Sequence, residues 1–462
     1  MNRRIVYSKY YISGSHKPVA TPGRQVQSVT TSPVRPIPAP LDSCDKGVPG
    51  TAVAIPLADV LAQRWNVLRE DLPLPVAVLK EETLRHNSRW MASFVRESDV
   101  SLAPHGKTTM SPDIFNLQLT DGAWGLTLAT PHQVQVARRF NYSRIFLANQ
   151  LVGRSAIEYI VLELRRDPDF EFYCLVDSIE NLNQLVGIAR RMGLPRPINV
   201  LVEMGYNGGR TGCRTLRAGI ELARAIAASA GTVALCGVEG YEAFLRGRTQ
   251  AETICAIESF LDGITALARQ CEDEGLLSST PVLLSAGGTS YFDMVAEKLS
   301  HAGLTRPVVV LLRSGCYVTH DSLMFTRAFA LMRQRSHRVE KSGEGLRAAI
   351  EVWAYVQSRP EAELVIAGLG KRDVSFDEGP TPLSWFRPNA AMHDPAPVPD
   401  GHTVVKLNDQ HSYMTVPADS PLSVGDMIGF GISHPCLTFD KWRVMHLVDS
   451  HYSVVGSIRT YF

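Results

Sequence analysis

The sequence lacks the features that mark membrane proteins and nucleic-acid-binding proteins. No apolar run approaches the ~18 to 20 residues that a bilayer-spanning helix requires. The 47 basic residues are balanced by 46 acidic ones, whereas a nucleic-acid-binding protein usually has a basic excess. The chain has 462 residues, 45% of them hydrophobic and 20% charged, which is typical of a globular protein of about two domains. We therefore expect a small-molecule partner, and neither a membrane nor a nucleic acid.

The cysteines lack the spacing of a disulfide scaffold or a zinc finger. There are eight in the chain, they are scattered, and none belongs to a CxxC pair. This usage predicts a reduced, cytoplasmic protein. Any metal site must then be built from a short motif that leaves coordination positions open.

Residues 1–50 have no acidic residue before Asp42 and no hydrophobic periodicity. Serine, threonine, proline and basic residues are frequent there, as in SVTTSPVRPIPAP (28–40). The segment is predicted to be a disordered tail, and an organelle-targeting segment, which is also basic and poor in acidic residues, is the alternative.

Between about residues 72 and 335, short apolar runs alternate with longer amphipathic stretches. The runs with the composition of buried strands are PVAVLK (75–80), SRIFLANQ (143–150), FEFYCLVD (170–177), PINVLVEM (197–204), VALCGVEG (233–240), VLLSAGG (282–288) and PVVVLLRSG (307–315). Strands that alternate with helices indicate a parallel sheet with crossover helices. About eight of them fit a (β/α)₈ barrel better than an open sheet.

From about residue 336 to 462 the segments become short, alternate polar with apolar residues, and are broken by glycine and proline. This pattern is typical of antiparallel strands. The predicted fold is thus α/β: a (β/α)₈ TIM-like barrel over 72–335 followed by an antiparallel β domain over 336–462.

Two short motifs could carry chemistry. Lys107 in SLAPHGKTTM (101–110) follows a strand-like start, and catalytic groups of such barrels lie at the carboxyl ends of strands. His434 and Cys436 are two residues apart after the strand-like DMIGFGIS (426–433). In an extended segment they point the same way, so both can reach one Zn²⁺. Taken alone, either motif is more often found without a function.

A family resemblance strengthens both motifs. PHGKT (104–108) resembles the PHxKT lysine motif of the D-serine dehydratase and D-threonine aldolase family, which are pyridoxal 5′-phosphate (PLP) enzymes of the alanine racemase-like fold. The likeness covers about residues 72–450. It continues in family order through GVEGYEAF (237–244), SAGGTSYF (285–292), LLRSGCYVTHD (311–321), IAGLGKRDVSFDEG (366–379) and GDMIGFGISHPCLTFDKW (425–442).

The resemblance implies a PLP-binding barrel in which Lys107 carries the cofactor as a Schiff base. It implies further that Thr289 binds the cofactor phosphate through its hydroxyl and backbone, and that the backbone amides of Gly315 and Cys316 bind the same phosphate. Glycine-rich loops suit this role because their main-chain NH groups can close around a dianion.

Two further cofactor contacts are implied with less support from the residues. Tyr241 in EGYEA matches a tyrosine of the family that contacts the cofactor, and a core tyrosine is the alternative. Arg210 resembles the arginine of a DxGxxRxG segment that approaches the pyridine nitrogen. In this chain the carboxylate is Glu203, and two extra residues separate it from the arginine, which leaves the role of Arg210 open.

The resemblance also implies a metal at His434 and Cys436. Dehydratases of the family have His and Cys at these positions, whereas D-threonine aldolases have His and Asp. Cys436 therefore favours the dehydratase branch, and its sulfur favours Zn²⁺ over Mg²⁺ or Mn²⁺.

The implied function is that of a lyase: a PLP- and zinc-dependent dehydratase that converts D-serine or a related D-3-hydroxy amino acid to a 2-oxo acid and ammonia. The alternatives are retro-aldol cleavage to glycine and an aldehyde, a racemase, and a non-catalytic PLP-binding protein. The family usually forms homodimers, in which Lys107 and the His434/Cys436 pair can come from different chains.

Overall fold

The computed structural model describes residues 38–462, and this part contains eighteen β-strands and eleven α-helices. The strands are β1 Val76–Lys80, β2 Ser101–Leu102, β3 Leu126–Leu128, β4 Arg144–Gln150, β5 Glu171–Val176, β6 Ile198–Met204, β7 Val233–Gly240, β8 Val282–Ala286, β9 Val308–Leu312, β10 Ile350–Glu361, β11 Leu364–Ala367, β12 Thr381–Phe386, β13 Ala396–Pro397, β14 Thr403–Leu407, β15 Ser412–Thr415, β16 Met427–Gly431, β17 Val444–Val448 and β18 Val454–Arg459. The helices are α1 Glu81–Glu97, α2 Pro112–Thr120, α3 Pro131–Arg139, α4 Arg154–Arg166, α5 Ile179–Arg191, α6 Leu216–Ala228, α7 Gln250–Asp273, α8 Phe292–Ser300, α9 Met324–Arg335, α10 His337–Lys341 and α11 Cys436–Phe439.

Strands β2 to β9 form the predicted parallel barrel. Their order in the sheet is β2-β9-β8-β7-β6-β5-β4-β3. The two outermost strands are joined as well, because the Trp124 amide donates to the Leu102 carbonyl (2.7 Å) and the Thr127 amide donates to the Pro104 carbonyl (3.0 Å). The α/β barrel fold is confirmed.

Local sequence explains where the crossover helices start. Helices α5, α6 and α7 begin directly after Ser178, Thr215 and Thr249, whose hydroxyl oxygens accept hydrogen bonds from amides of the first helical turn. Such caps satisfy amides that have no partner within the helix. Helix α5 starts close to the carboxyl end of β5, whereas α6 and α7 start after longer loops that follow β6 and β7.

The barrel interior is closed by its own apolar cluster. The cluster consists of Ala103, Phe146, Leu175, Leu201, Cys236, Leu283 and Leu311, each at most 4% exposed. The Arg313 guanidinium lies 5.4 Å from the centre of the Phe146 ring. The barrel is thus a packed core, and a ligand can enter only at the mouth beyond this layer.

The second sheet is the predicted antiparallel one, but it includes a strand that we assigned to the barrel. Strand β1 pairs antiparallel with β10 and parallel with β17. Four of its five residues are buried, so its composition is the same as that of a buried barrel strand and the sequence cannot distinguish the two. The second sheet therefore draws on both ends of the chain, and the boundaries 72–335 and 336–462 stay a prediction.

The segment predicted as a tail has two parts. Residues 1–37 lie outside the described residues. Residues 38–50 differ from the prediction, because Leu41 is buried and pairs with Ile55. Arg459 also donates to the Ala39 carbonyl (2.6 Å) and to the Asp45 carboxylate (2.6 Å). These partners are about 400 residues away in sequence, so no local periodicity reveals them.

The sequence predicts neither a disulfide scaffold nor a membrane-spanning helix, and residues 38–462 bear on both predictions. All eight cysteines lie in this part of the chain and are free thiols. None of the helices described there is both long and apolar enough to span a bilayer.

A buried ion pair fixes the helices on one side of the barrel. Arg138 in α3 donates to the Glu163 carboxylate in α4 (2.8 Å) and to Asp167 (2.6 Å). Its guanidinium also packs 4.1 Å from the centre of the Phe170 ring. The side chains of Arg138 and Glu163 are only 4% and 7% exposed. Burying either charge without the other would therefore destabilise the fold.

We expect Arg138→Ala to lower the free energy of unfolding by about 3 kcal/mol, because Glu163 would keep only Arg166 as a partner. Urea denaturation followed by tryptophan fluorescence measures the change. The control is Arg217→Ala, which removes an exposed pair with Glu221 and should leave the midpoint unchanged. Equal midpoints for the two variants would contradict the structural role of Arg138.

Candidate active site

Lys107 lies at the barrel mouth, where the sequence predicts it. A 3-10 turn, Gly106–Thr108, follows β2 and carries the half-buried lysine. Its amine has no hydrogen-bond or ion-pair partner among the residues that the structure describes. The lysine faces a cavity of about 300 Å³ that is also lined by His105, Arg210, Tyr241 and Arg313. An amine that is free and half-buried can act as a nucleophile toward a carbonyl.

The two loops predicted to bind phosphate lie side by side next to this turn. Thr289 follows β8, and Gly315 and Cys316 follow β9, which pairs with both β8 and β2. The loops are joined where the Ser314 hydroxyl donates to the Gly288 carbonyl (3.0 Å). The amides of Thr289, Gly315 and Cys316 donate to no acceptor within residues 38–462, so they are available to an anion.

Glycine is required at one of these positions by close packing. A Cβ on Gly315 would lie 2.4 Å from the Thr108 hydroxyl oxygen and 2.6 Å from the His105 carbonyl oxygen. Both atoms belong to the segment that carries Lys107. The loop after β9 therefore packs directly against the lysine turn. A residue larger than glycine at position 315 would displace either the loop or the turn.

Tyr241 and Arg210 also line this cavity. The Arg210 guanidinium lies 4.8 Å from the centre of the Tyr241 ring, which is a cation–π distance. Burial and the neighbouring Glu242 raise the pKa of Tyr241 to about 12, so the phenol stays neutral near pH 7. Glu203 accepts from Thr211 (2.7 Å) and from Gln150 and makes no ion pair with Arg210, in keeping with the altered spacing of this motif.

His434 and Cys436 meet a third potential ligand. The ligand atoms of Cys316, His434 and Cys436 all lie within 4.8 Å of one another. The Cys436 sulfur is 3.6 Å from the Cys316 sulfur and 3.4 Å from the Thr108 hydroxyl oxygen. Thr108 directly follows Lys107, so a single chain brings the predicted metal pair and the predicted cofactor lysine together.

Asp377 orients His434. The His434 Nδ1 atom lies 2.8 Å from a carboxylate oxygen of Asp377, and the Ser433 hydroxyl donates to the other oxygen (2.9 Å). This contact fixes the ring and leaves Nε2 as the nitrogen available to a metal. A carboxylate behind a ligating histidine is the usual arrangement of metal sites.

The protonation of the three groups is coupled. The contact with Cys316 holds the pKa of the Cys436 thiol well below its usual range, and the same contact raises the pKa of Cys316. Burial disfavours a charged His434, but the Cys436 sulfur and the Asp377 carboxylate outweigh it and raise the pKa of the imidazole to about 9. A metal ion must displace these protons, so its affinity should fall as the pH is lowered.

Two protein-family models match the chain. The model of the alanine racemase N-terminal domain matches residues 79–296, and that of the putative serine dehydratase domain matches residues 349–448. Among curated proteins, a 3-hydroxy-D-aspartate aldolase of Paracoccus denitrificans (strain Pd 1222) is 23% identical over 384 residues, which is 81% of this chain and 88% of the relative.

The chain thus combines an alanine racemase N-terminal domain with a putative serine dehydratase domain.

Solved structures of similar proteins have the same fold. A D-threonine aldolase from Filomicrobium marinum has a TM-score of 0.69 at 22% identity, and the match covers 84% of this chain and 95% of that one. A D-threo-3-hydroxyaspartate dehydratase from Delftia sp. HT23 has a TM-score of 0.65 at 18% identity, with 86% and 99% covered. Two variant structures of a D-threo-3-hydroxyaspartate dehydratase also match: a histidine-to-alanine variant, and a cysteine-to-alanine variant in a metal-free form. The two substituted positions are two residues apart.

The alanine racemase-like fold implies PLP, and the cavity at Lys107 fits it. Three buried polar atoms have no partner in the described structure: His105 Nδ1, Arg313 Nε and one carboxylate oxygen of Glu239. Buried polar atoms are nearly always paired, so these indicate a polar ligand in this region. Together with the free amine of Lys107 and the open amides of the neighbouring loops, they suit an anionic aromatic aldehyde.

The donor set at Cys436 fits zinc. Cysteine sulfur and histidine nitrogen are its preferred ligands, and Asp377 supplies the carboxylate that holds the histidine. Cys316, His434 and Cys436 offer three donors at most, which leaves a coordination position for a substrate or water. Such a donor set would suit a catalytic rather than a closed structural site.

Sequence reasoning missed the roles of three side chains near the site. Asp377 is 57 residues before His434. The sequence predicts a role for the backbone of Cys316 but none for its thiol, and none for Arg313. Each of them stands in a segment that carries the family resemblance, which was the one available signal. Their partners are distant in sequence, so only the fold reveals the contacts.

We expect Asp377→Asn to weaken zinc binding about 10- to 100-fold, because the amide cannot orient and polarise His434 as a carboxylate does. Competition with a chromophoric chelator measures the affinity. The matched control is Glu378→Gln, which removes the adjacent carboxylate that pairs with Arg327. Equal zinc affinity in Asp377→Asn and the control would contradict the orienting role.

We expect Gly315→Ala to reduce PLP binding, because its Cβ must displace either the His105 carbonyl or Thr108. Titration of the metal-loaded protein with PLP, followed by absorbance, measures the loss. Gly263→Ala is the control, since a Cβ there meets nothing within 4 Å. An unchanged PLP affinity would show that the loop after β9 does not limit the cofactor site.

Proposed function

We propose that the protein is a PLP- and zinc-dependent lyase that dehydrates D-serine or a related D-3-hydroxy amino acid to a 2-oxo acid and ammonia. Lys107 carries the cofactor, Thr289, Gly315 and Cys316 hold its phosphate, and Tyr241 and Arg210 line its cavity. His434 and Cys436 hold the metal.

One observation carries this proposal. The Thr108 hydroxyl oxygen, on the residue next to Lys107, is 3.4 Å from the Cys436 sulfur. An amino acid held at Lys107 would therefore have its β-substituent close to the metal ligands. A racemase has no use for such a pair, whereas a reaction that breaks a bond to or beside a β-hydroxyl does.

Lys107 is proposed to move the proton at Cα. PLP, when bound, supplies an electron sink for negative charge at Cα of the amino acid. The Lys107 amine would be the base that accepts the Cα proton. Tyr241 is a poor competitor for this role, because its pKa of about 12 keeps its proton in place.

His434 and Cys436 are proposed to act at the β-hydroxyl. Zinc held there supplies a Lewis acid that stabilises the charge on the departing oxygen. Asp377 keeps Nε2 of His434 directed to the metal, and Thr108 positions the Cys436 sulfur. The eliminated product is an enamine, and its hydrolysis gives the 2-oxo acid and ammonia.

The comparisons support a lyase of this general kind. Matching structures of a D-threo-3-hydroxyaspartate dehydratase include His and Cys variants two residues apart, the latter metal-free, and His434 and Cys436 have the same spacing. The alternative is retro-aldol cleavage to glycine and an aldehyde, which the similarity to a 3-hydroxy-D-aspartate aldolase and to a D-threonine aldolase favours. Cys436 is the residue that favours dehydration.

The experiment is a product assay with D-serine, D-threonine and D-3-hydroxyaspartate, with and without added zinc. Dehydration predicts 2-oxo acid and ammonia in equal amounts, and aldol cleavage predicts glycine and an aldehyde. Chelation should stop turnover while the absorbance of bound PLP remains. Turnover that survives complete removal of the metal would refute the zinc role.

We expect Lys107→Ala to reduce turnover at least about 10²-fold, since it removes the general base and the site of cofactor attachment. The matched control is Lys298→Ala, which changes a surface lysine that pairs with Asp262. Borohydride reduction followed by peptide mapping provides a second measurement. An adduct on a lysine other than 107 would be incompatible with the proposal.

A further inference from the structure

The Cys316 side chain has a position that phosphate binding does not explain. Its backbone belongs to the loop after β9, but its sulfur points away from the main chain of that loop toward Cys436. The Cys316 residue is only 6% exposed. Within residues 38–462 its sulfur has two polar neighbours, the Cys436 sulfur at 3.6 Å and the Thr108 hydroxyl oxygen at 4.0 Å.

The separation of the two sulfurs matches a shared metal ion. Two thiolates bound at about 2.3 Å to one tetrahedral zinc ion lie about 3.8 Å apart. A disulfide would bring them to about 2.05 Å. The observed 3.6 Å is close to the first distance and far from the second.

The third donor is at the same place. The ligand atoms of Cys316, His434 and Cys436 lie within 4.8 Å of one another, and no other group of three His, Cys, Asp or Glu side chains in the described part of the chain meets this condition. The three come from two distant segments, one on the barrel and one after β16, so the barrel itself contributes to the cluster.

We propose that Cys316 is a third protein ligand of the zinc ion, so that the site is Cys₂His with one open position. This inference rests on the proposed function, because it concerns the same metal. Two cysteines, one histidine and a fourth position for the substrate form a known type of catalytic zinc site.

Such a site restricts how a substrate can bind. In a four-coordinate ion, three protein ligands leave room for one substrate atom. The β-hydroxyl oxygen can then be a ligand, while the substrate carboxylate must be bound by other groups at the cavity. Arg210 is a cationic side chain that lines this cavity.

In this arrangement Cys316 belongs to both the PLP site and the zinc site. The amide of Cys316 is open to the PLP phosphate and its thiol to the zinc ion, so one residue would contact both groups. Loss of the thiol should therefore change the metal site and leave the amide in place. This separates the metal role of Cys316 from its phosphate role.

The experiment counts sulfur ligands in the reduced, PLP-loaded protein. Zinc X-ray absorption should show two sulfur ligands in the unaltered protein and one in Cys316→Ser. The absorbance of the cobalt(II)-substituted protein in the thiolate charge-transfer region should fall by about half in the same variant. Zinc affinity should fall at least about 10-fold, as it does when a group supporting a ligand is lost.

Two controls make the result specific. Cys213→Ser changes a buried cysteine whose thiol donates to the Asp177 carbonyl, and it should leave the sulfur count at two. The absorbance of bound PLP should persist in Cys316→Ser, which shows that the barrel is intact. If Cys316→Ser does not fold, the sulfur count of the unaltered protein decides the question.

The outcomes distinguish this inference from the function on which it rests. One sulfur ligand in the unaltered protein, together with zinc-dependent production of 2-oxo acid, would overturn the role of Cys316 and leave the dehydratase intact. A protein that binds no zinc at all would overturn both. Two sulfur ligands with aldehyde as the product would support Cys316 and refute dehydration.

Discussion

The contact between Cys436 and Thr108 is the one on which the active site depends. It joins the segment after β16 to the turn after β2, and these are 328 residues apart in sequence. The barrel fixes the position of the turn through β2, which is paired with β9. The second sheet fixes the position of Cys436 through β16, which pairs with β10. The two sheets therefore hold Lys107 and the pair of His434 and Cys436 at one place.

Burial sets the charge states around this contact. Desolvation and the nearby Lys107 amine hold the pKa of His105 well below its usual range, so the imidazole is neutral beside the lysine. Desolvation also raises the pKa of Glu239 to about 8, although the Arg313 guanidinium opposes it. The cavity thus has cationic groups on its walls and a carboxyl group that is easily protonated beneath them. An anionic cofactor is favoured in such surroundings.

The sequence predicts the parts of the site that follow from short motifs on regular elements. Lys107 and the pair of His434 and Cys436 each stand a few residues after a strand, and the alternation of apolar and amphipathic segments predicts the barrel. The sequence pattern does not predict that β1 joins the second sheet or that residues 38–50 pack against the rest of the chain. Both depend on pairing between distant segments, which local periodicity does not encode.

The ligand set also bears on the choice of substrate atom. With Cys436 as its one thiolate, the zinc ion keeps a net positive charge, and a carboxylate competes well for the open position. With Cys316 as a second thiolate, the charges of metal and ligands cancel, which weakens the attraction for a carboxylate more than for a neutral hydroxyl. A second sulfur therefore favours the β-hydroxyl as the substrate ligand, which is the group that must leave in dehydration.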